Sequence, residues 1–509
     1  MKEIPVISTE FGKIQGYVEK DVNIFKGIPY ALPPIGNLRF SPPVDTEPWN
    51  NVLDATKFGP YPIQGPYNEQ IIIAPQPQDE SCLTLNIWAP LDDHEKKPVM
   101  LWLYGGSFEY GGSANPKFDG LALANRGKVV VVSMNYRLGL FGFLHLPGKT
   151  TNVGILDQLA VLKWINQNIE NFGGDPNNVT IFGESAGGSS VIFLLTMPLT
   201  KGLFHRAIIQ SACIIDPKPT VRSTKRIFHN LGIKYGDLDS LREVPTNKLI
   251  KAQNDFTNQD LLAGTFEIMN FRPSIDEDTI PQHPVKAIQQ GITKEIDLII
   301  GTNLNEINFW SVFDPTMKNI DIEGVQKRFQ SRVNKVGLSE SVSNKVVKMY
   351  QKCNNEKSPF EIYNLLDTDF TYRIPALRIA EEKSKFNPNT YNYIFSWGSS
   401  EVEGKLGAPH AIEIPFVFGT LDKTVPTLSG LDFYRGHGPK EKEISQKIMD
   451  MWISFARNGV PNSNDIIEWP NYEVKTRNTM FINNRCEIIP HFLEKERSAW
   501  DGIIYEQFE

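Results

Sequence analysis

The chain has 509 residues, of which 40% are hydrophobic and 22% charged, an ordinary globular balance with ample material for a large core. Its net charge of −7 and isoelectric point near 5.8, with no run rich in lysine and arginine, argue against nucleic acid as a partner, because phosphate binding needs a basic surface. Length alone suggests about three domains, but large α/β enzymes often exceed that rule, and without a repeat, a low-complexity tract or a clear linker, one domain over 1–509 is the economical reading.

The N-terminal stretch MKEIPVISTEFGK lacks the apolar core of a secretory signal, and the longest aliphatic run, Val129 to Val132, has the length of a strand rather than a membrane span. A soluble, cytoplasmic protein without a membrane anchor is expected; its oligomeric state is not readable. Cys82, Cys213, Cys353 and Cys486 are too sparse for a disulfide scaffold and are read as reduced thiols, most of them buried. With no CxxC or HExxH pattern, neither metal nor cofactor is expected.

In chain order, residues 1 to 60 alternate short apolar runs with turns, and Pro29, Pro33 and Pro34 keep the stretch from Phe25 to Phe40 extended. Residues 61–79, rich in proline, glutamine and glycine around Ile71-Ile72-Ile73, have the length of a flap over a pocket or of a surface loop. From Leu83 onward, buried-strand runs (Leu85 to Trp88, Val99 to Leu103, Val129 to Met134, Val179 to Phe182) alternate with helical patterns near 121–125 and 156–169. That alternation predicts an α/β fold with a large, mostly parallel central sheet covered by helices on both faces. The segment at about 220–295 reads as a helical insertion. Two further strands follow at Leu298 to Ile300 and Thr390 to Phe395, and the spacing of Ile444, Ile448, Met451, Trp452 and Phe455 predicts an amphipathic helix over about 441–457.

The most informative stretch is NVTIFGESAGGSSVIFLL, Asn178 to Leu195, in which a strand runs through Gly183-Glu184-Ser185-Ala186-Gly187 into an apolar helix. A strand that turns straight into a helix strains its corner residue, and glycines two before and two after remove side chains that would collide there, so Ser185 reads as a nucleophile elbow. A serine hydroxyl needs a base to take its proton, an acid to orient the base and donors for the oxyanion. The turn Tyr104-Gly105-Gly106-Ser107-Phe108 follows the strand Val99 to Leu103, and the backbone N–H groups of Gly106, Ser107 and Ala186 are the candidate donors. For the base, His410 follows the strand Thr390 to Phe395, with His437 as an alternative; His205, His229, His283 and His491 have no strand before them. For the acid, Glu306 follows the strand Leu298 to Ile300 by a short loop, with Asp276 as its rival.

These residues lie in stretches that resemble a known family. FKGIPYALPPIGNLRF, ESCLTLNIWAP, VMLWLYGGSFEYGG, VVVVSMNYRLGLFGFL, NFGGDPNNVTIFGESAGG, GTNLNEINFW, GAPHAIEIPFVFG and MWISFARNGVPN, spread from Phe25 to Asn462, are similar to type-B carboxylesterases of the cholinesterase and lipase family, which have the α/β-hydrolase fold. In character they are nearest to microbial para-nitrobenzyl esterases. The resemblance implies a serine carboxylesterase acting on small-molecule esters through an acyl-enzyme, with nucleophile Ser185, acid Glu306, base His410 and oxyanion donors Gly106, Ser107 and Ala186. It also implies structural ion pairs Arg39–Glu80 and Arg137–Asp175, and a carboxylate near the site at Glu184. Ser107 stands where the family has a third glycine, so a side chain narrows the pocket. Residues 61–79 contain no cysteine to pair with Cys82, which leaves the flap untethered and agrees with a reducing compartment. Two other classes fit the residues less well. A non-catalytic binding or adhesion module is opposed by competent residues at all three catalytic positions. A nucleotide site at Pro147-Gly148-Lys149-Thr150 is opposed by Gly142 lying one residue too far upstream.

Overall fold

Apolar runs with β-branched and aromatic residues cannot leave their side chains in water, and in this chain they become strands with both faces covered. The computed structural model describes residues 4–65, 77–91, 95–146, 148–213, 221–262, 269–423, 438–462 and 467–503, with backbone only over 256–262. The chain divides into two units. The first takes the described residues up to Arg206 and those between Pro217 and Gln282; the second takes those of 207–216, 283–422 and 432–509.

The strands of the first unit are β1 (Val6–Thr9), β2 (Gly12–Gln15), β3 (Tyr17–Glu19), β4 (Val22–Pro29), β5 (Leu53–Asp54), β6 (Thr84–Pro90), β7 (Lys97–Leu103), β8 (Val130–Met134) and β9 (Gly174–Glu184). β1, β2 and β5 form a small sheet, and the others follow the order β3-β4-β6-β8-β7-β9. β7 runs parallel to both β8 and β9, with Leu101 opposite Val132 and Ile181, whereas β3, β4, β6 and β8 pair antiparallel. Every residue of β6, β7 and β8 is buried, as their largely apolar sequences favour, and the polar Asn86 and Ser133 hydrogen-bond to each other. Helices Val153–Asn168 and Ala186–Thr196 pack on β9. Within 220–295, helices Val221–Asn230, Leu238–Arg242 and Thr246–Leu262 belong to the first unit and Pro284–Gln289 to the second, while 269–283 is non-helical. Of the expected flap, the two ends are described: Tyr61 N–H donates to the Pro77 carbonyl and Asp79 N–H to the Tyr61 carbonyl. Ile71-Ile72-Ile73 lies outside the described residues.

In the second unit, β10 (Arg206–Gln210), β11 (Asp297–Asn303), β12 (Thr390–Phe395), β13 (Thr479–Ile482) and β14 (Glu487–Ile489) are neighbours in that order. β12 is parallel to β11 and β13, and β14 closes antiparallel. The helix predicted over 441–457 spans Pro439–Asn458 and buries Ile444, Ile448, Met451, Trp452 and Phe455.

Arg39 and Glu80 form the expected buried, bidentate pair, at 2.7 and 2.6 Å. Arg137 does not pair with Asp175. Its Nε and Nη2 donate to Asp157 at 2.8 and 2.6 Å, because the helix Val153–Asn168 presents that carboxylate, fully buried, beneath the end of β8. Asp175 instead accepts the N–H of Asn177. The cysteines are free, but only Cys82 is buried; Cys213, Cys353 and Cys486 are partly exposed, against the expectation that most would be buried.

Candidate active site

The elbow is built by close approach of backbone. A Cβ on Gly187 would lie 1.9 Å from the Leu103 carbonyl oxygen, and one on Gly183 would lie 2.6 Å from the Gly187 backbone, so β9 and its helix can cross the end of β7 only with glycine at both positions. Ser185 sits between them at φ 56° and ψ −123°, a strained corner that precedes the helix Ala186–Thr196. The first N–H groups of a helix have no partner within it, so Ala186 N–H is available to an anion beside Ser185. Glu184 is buried against the glycine turn: a Cβ on Gly105 would meet its carbonyl oxygen at 2.6 Å, its Oε2 at 2.9 Å and Ser185 Cβ at 2.9 Å. The turn bearing Gly106 and Ser107 therefore abuts the nucleophile elbow in the first unit, and Gly106 (φ 120°) and Ser107 (φ 57°) both have positive φ.

Glu306 and His410 are brought together in the second unit. Each follows a parallel strand, β11 or β12, and their loops are stitched by Asn305 N–H to the Ala408 carbonyl, Ala408 N–H to Asn305 Oδ1 and His410 N–H to the Glu306 carbonyl. Glu306, wholly buried, places Oε2 2.6 Å from His410 Nδ1, while its Oε1 accepts from Ser211 Oγ at 2.6 Å and Asn303 N at 2.7 Å. With the Nδ1 proton donated to the carboxylate, the imidazole keeps its Nε2 lone pair for a substrate-side proton. Trp310 and Tyr372 flank the imidazole with ring centroids 5.1 and 5.0 Å away, which limits its rotation.

Among the rivals, Asp276 accepts from Thr151, Asn152 and Thr279 in the first unit and serves as a loop anchor. His437 lies outside the described residues. His205 and His283 each accept a backbone N–H through Nδ1, from Val179 and Val285.

Sequence reasoning missed two carboxylates. Glu413, wholly buried, accepts from Gln210 Nε2 at 3.0 Å and Asn303 Nδ2 at 2.7 Å; burial first, and then the nearby Glu306 charge, raise its pKa above the usual carboxylate range. It lies three residues after His410 in Ala-Ile-Glu-Ile-Pro, where only the apolar flanks hinted at burial. Glu109, two residues after Ser107, is also buried, again between apolar or aromatic neighbours.

No group of three or more His, Cys, Asp or Glu residues suited to a metal occurs among the described residues, and no described helix is long and apolar enough to cross a membrane.

A model of the carboxylesterase family matches residues 3–500. The chain is 37% identical to the para-nitrobenzyl esterase of Bacillus subtilis over 504 residues, covering 95% of this chain and 96% of that protein. It is 32% identical to the phenmedipham hydrolase of Pseudarthrobacter oxydans, over 92% of this chain and 93% of that one. A solved para-nitrobenzyl esterase structure, 34% identical, matches 98% of this chain and 100% of its own with a TM-score of 0.84, which identifies the α/β-hydrolase fold. With the matching model spanning nearly the whole length and these likenesses in both sequence and structure, the chain belongs to the carboxylesterase family.

Proposed function

We propose that Ser185, His410 and Glu306 are the catalytic triad of this carboxylic ester hydrolase, with Gly106, Ser107 and Ala186 supplying the oxyanion hole. Ser185 Oγ attacks the ester carbonyl while His410 Nε2 takes its proton, and the three N–H groups receive the charge that appears on the carbonyl oxygen, each such donor contributing about 3 kcal/mol. Collapse expels the alcohol, protonated by the imidazolium; water then adds to the acyl-enzyme by the same route and releases the acid. Glu306 holds the imidazole tautomer and offsets its transient charge. The observation that supports this most is the 2.6 Å contact between Glu306 and His410 at two strand ends, in the chain order Ser, acid, His.

Esters of small to medium acyl or aryl groups suit the site best, since Ser107 adds a side chain to the oxyanion turn and relatives are named for para-nitrobenzyl esters. One catalytic domain, with a helical insertion at about 220–295, is supported by the family match over 3–500 and by two units that interleave along the sequence. A cytoplasmic setting suits four free, scattered thiols. A catalytically inert binding module is disfavoured by the hydrolases among the relatives and by competent residues at all three positions. A panel of para-nitrophenyl esters of rising acyl length, with Ser185→Ala as control, tests the proposal. The variant should keep its circular dichroism and lose at least about 10⁴-fold in turnover; a variant that retained most activity would refute the assignment.

A further inference from the structure

The turn that carries the proposed oxyanion donors adopts a backbone that its own residues disfavour. After Gly106, Ser107 and Phe108 both have positive φ, at 57° and 60°. Two successive side chains in the left-handed region persist only where neighbouring groups fix them. Contacts from outside the turn hold it, among them four hydrogen bonds. Tyr136 hydroxyl donates to the Tyr104 carbonyl at 2.8 Å, Gly139 N–H donates to the Phe108 carbonyl at 2.8 Å, Gly111 N–H donates to Gln64 Oε1 at 2.9 Å, and Phe271 N–H donates to Glu109 Oε1 at 3.2 Å.

Only the fourth depends on a titratable proton within the neutral range. Glu109 begins where the strained pair ends, its own N–H donating to the Gly106 carbonyl at 3.0 Å. Among the described residues, the groups that face its carboxyl are the N–H groups of Asn270 and Phe271 and the Tyr110 hydroxyl; Arg272, next to Phe271, turns its guanidinium to the Met269 carbonyl. Burial pushes the Glu109 carboxyl up to about 7. A carboxylate holds an N–H donor about twice as strongly as a neutral acceptor does.

We propose that Glu109 is a positioning residue for ester hydrolysis: its carboxylate draws the Asn270–Phe271 backbone onto the oxyanion turn and holds the Gly106 and Ser107 N–H groups in register, and its protonation loosens them. The proposal rests on the catalytic reading above and adds to it a second ionisation that governs turnover without touching substrate.

The test compares wild type, Glu109→Gln and Glu109→Ala on para-nitrophenyl acetate between pH 5.5 and 9, with melting temperatures measured at each pH. Oxyanion donors act mainly in the transition state, so kcat should fall and KM should hold within about twofold. Expected losses in kcat at pH 8 are about 3–10-fold for Glu109→Gln, which keeps the shape and one acceptor, and about 10–100-fold for Glu109→Ala. The acid limb of the wild-type kcat profile should be steeper than a single proton gives, and Glu109→Gln should return it to a slope of one.

Stability should move the other way. A carboxyl whose folded-state pKa is raised contributes stability that is fully present below its unfolded value, about 4.5, and is lost as pH rises through about 7. Glu109→Gln should therefore melt above wild type at pH 8 while turning over more slowly, which a merely structural role would not produce. A Glu109→Gln profile that superimposes on wild type, or a kcat that follows melting temperature, overturns the proposal. Retained activity in Ser185→Ala would instead indict the catalytic reading itself.

Discussion

Replacing Glu306 by glutamine removes one charge and adds two N–H bonds in a site with no spare room for either. Oε1 already receives the Ser211 hydroxyl and the Asn303 N–H, at 2.6 and 2.7 Å, so the new amide oxygen must take that side; facing an NH₂ toward those donors would orphan a buried backbone N–H at a cost of about 1–3 kcal/mol. The NH₂ then points at His410 Nδ1, now 2.6 Å from Oε2, and forces that nitrogen to accept, which puts the ring proton on Nε2. An imidazole in that tautomer cannot take the proton of a serine. Recovering the productive tautomer costs the same 1–3 kcal/mol, and the lost carboxylate withdraws roughly 4 kcal/mol of stabilisation from the imidazolium at an effective dielectric near 20. Together these raise the barrier by about 5–7 kcal/mol, or about 10⁴–10⁵ in rate. The assay is kcat/KM on para-nitrophenyl butyrate, with the rate of organophosphate labelling as an independent reading of nucleophilicity and a thermal melt to confirm the fold. Activity within tenfold of wild type would show that Glu306 does not set the tautomer.

Asp157→Ala should leave Arg137 buried and unpaired and cost about 3–5 kcal/mol, seen as a lowered melting temperature; Asp175→Ala should cost almost nothing by the same measurement. Gly187→Ala drives a Cβ to 1.9 Å from a carbonyl oxygen of β7, so it should yield insoluble or severely destabilised protein, and a soluble variant melting like wild type would contradict the elbow packing. Lys383 is buried, and burial lowers its amine to about 8 against the opposing pull of Asp297 and Glu295. The folded state thus binds fewer protons than the unfolded one between about 8 and 10.5, so wild-type stability should rise over that window, while Lys383→Met should be flat there and about 1–3 kcal/mol more stable at pH 7 by denaturant titration.

The parts of this molecule that were legible in the sequence are those written in local patterns. The elbow could be read because a strand, two glycines and an apolar helix must follow one another within a few residues for Ser185 to stand at the corner. The helix Pro439–Asn458 announced itself by a periodic apolar face, and Glu306 and His410 by their places after strands. Contacts made across long separations were not legible. Arg137 has acidic residues both 20 and 38 positions away, and nothing in the spacing says that the helix rather than the strand presents the partner. Glu109 and Glu413 look like loop carboxylates until the donors around them are seen, and Tyr372 reaches the imidazole from a π-helical turn, Asp369–Arg373, that has no sequence signature. Free cysteines carry no pattern that reports their exposure, hence the misjudged burial of Cys213, Cys353 and Cys486.

Stoichiometric labelling by a fluorophosphonate, followed by peptide mapping, addresses the nucleophile most directly. A single adduct on Ser185, formed in step with the loss of esterase activity, is the outcome expected here. An adduct on another residue, or full activity in protein already labelled at Ser185, would contradict it.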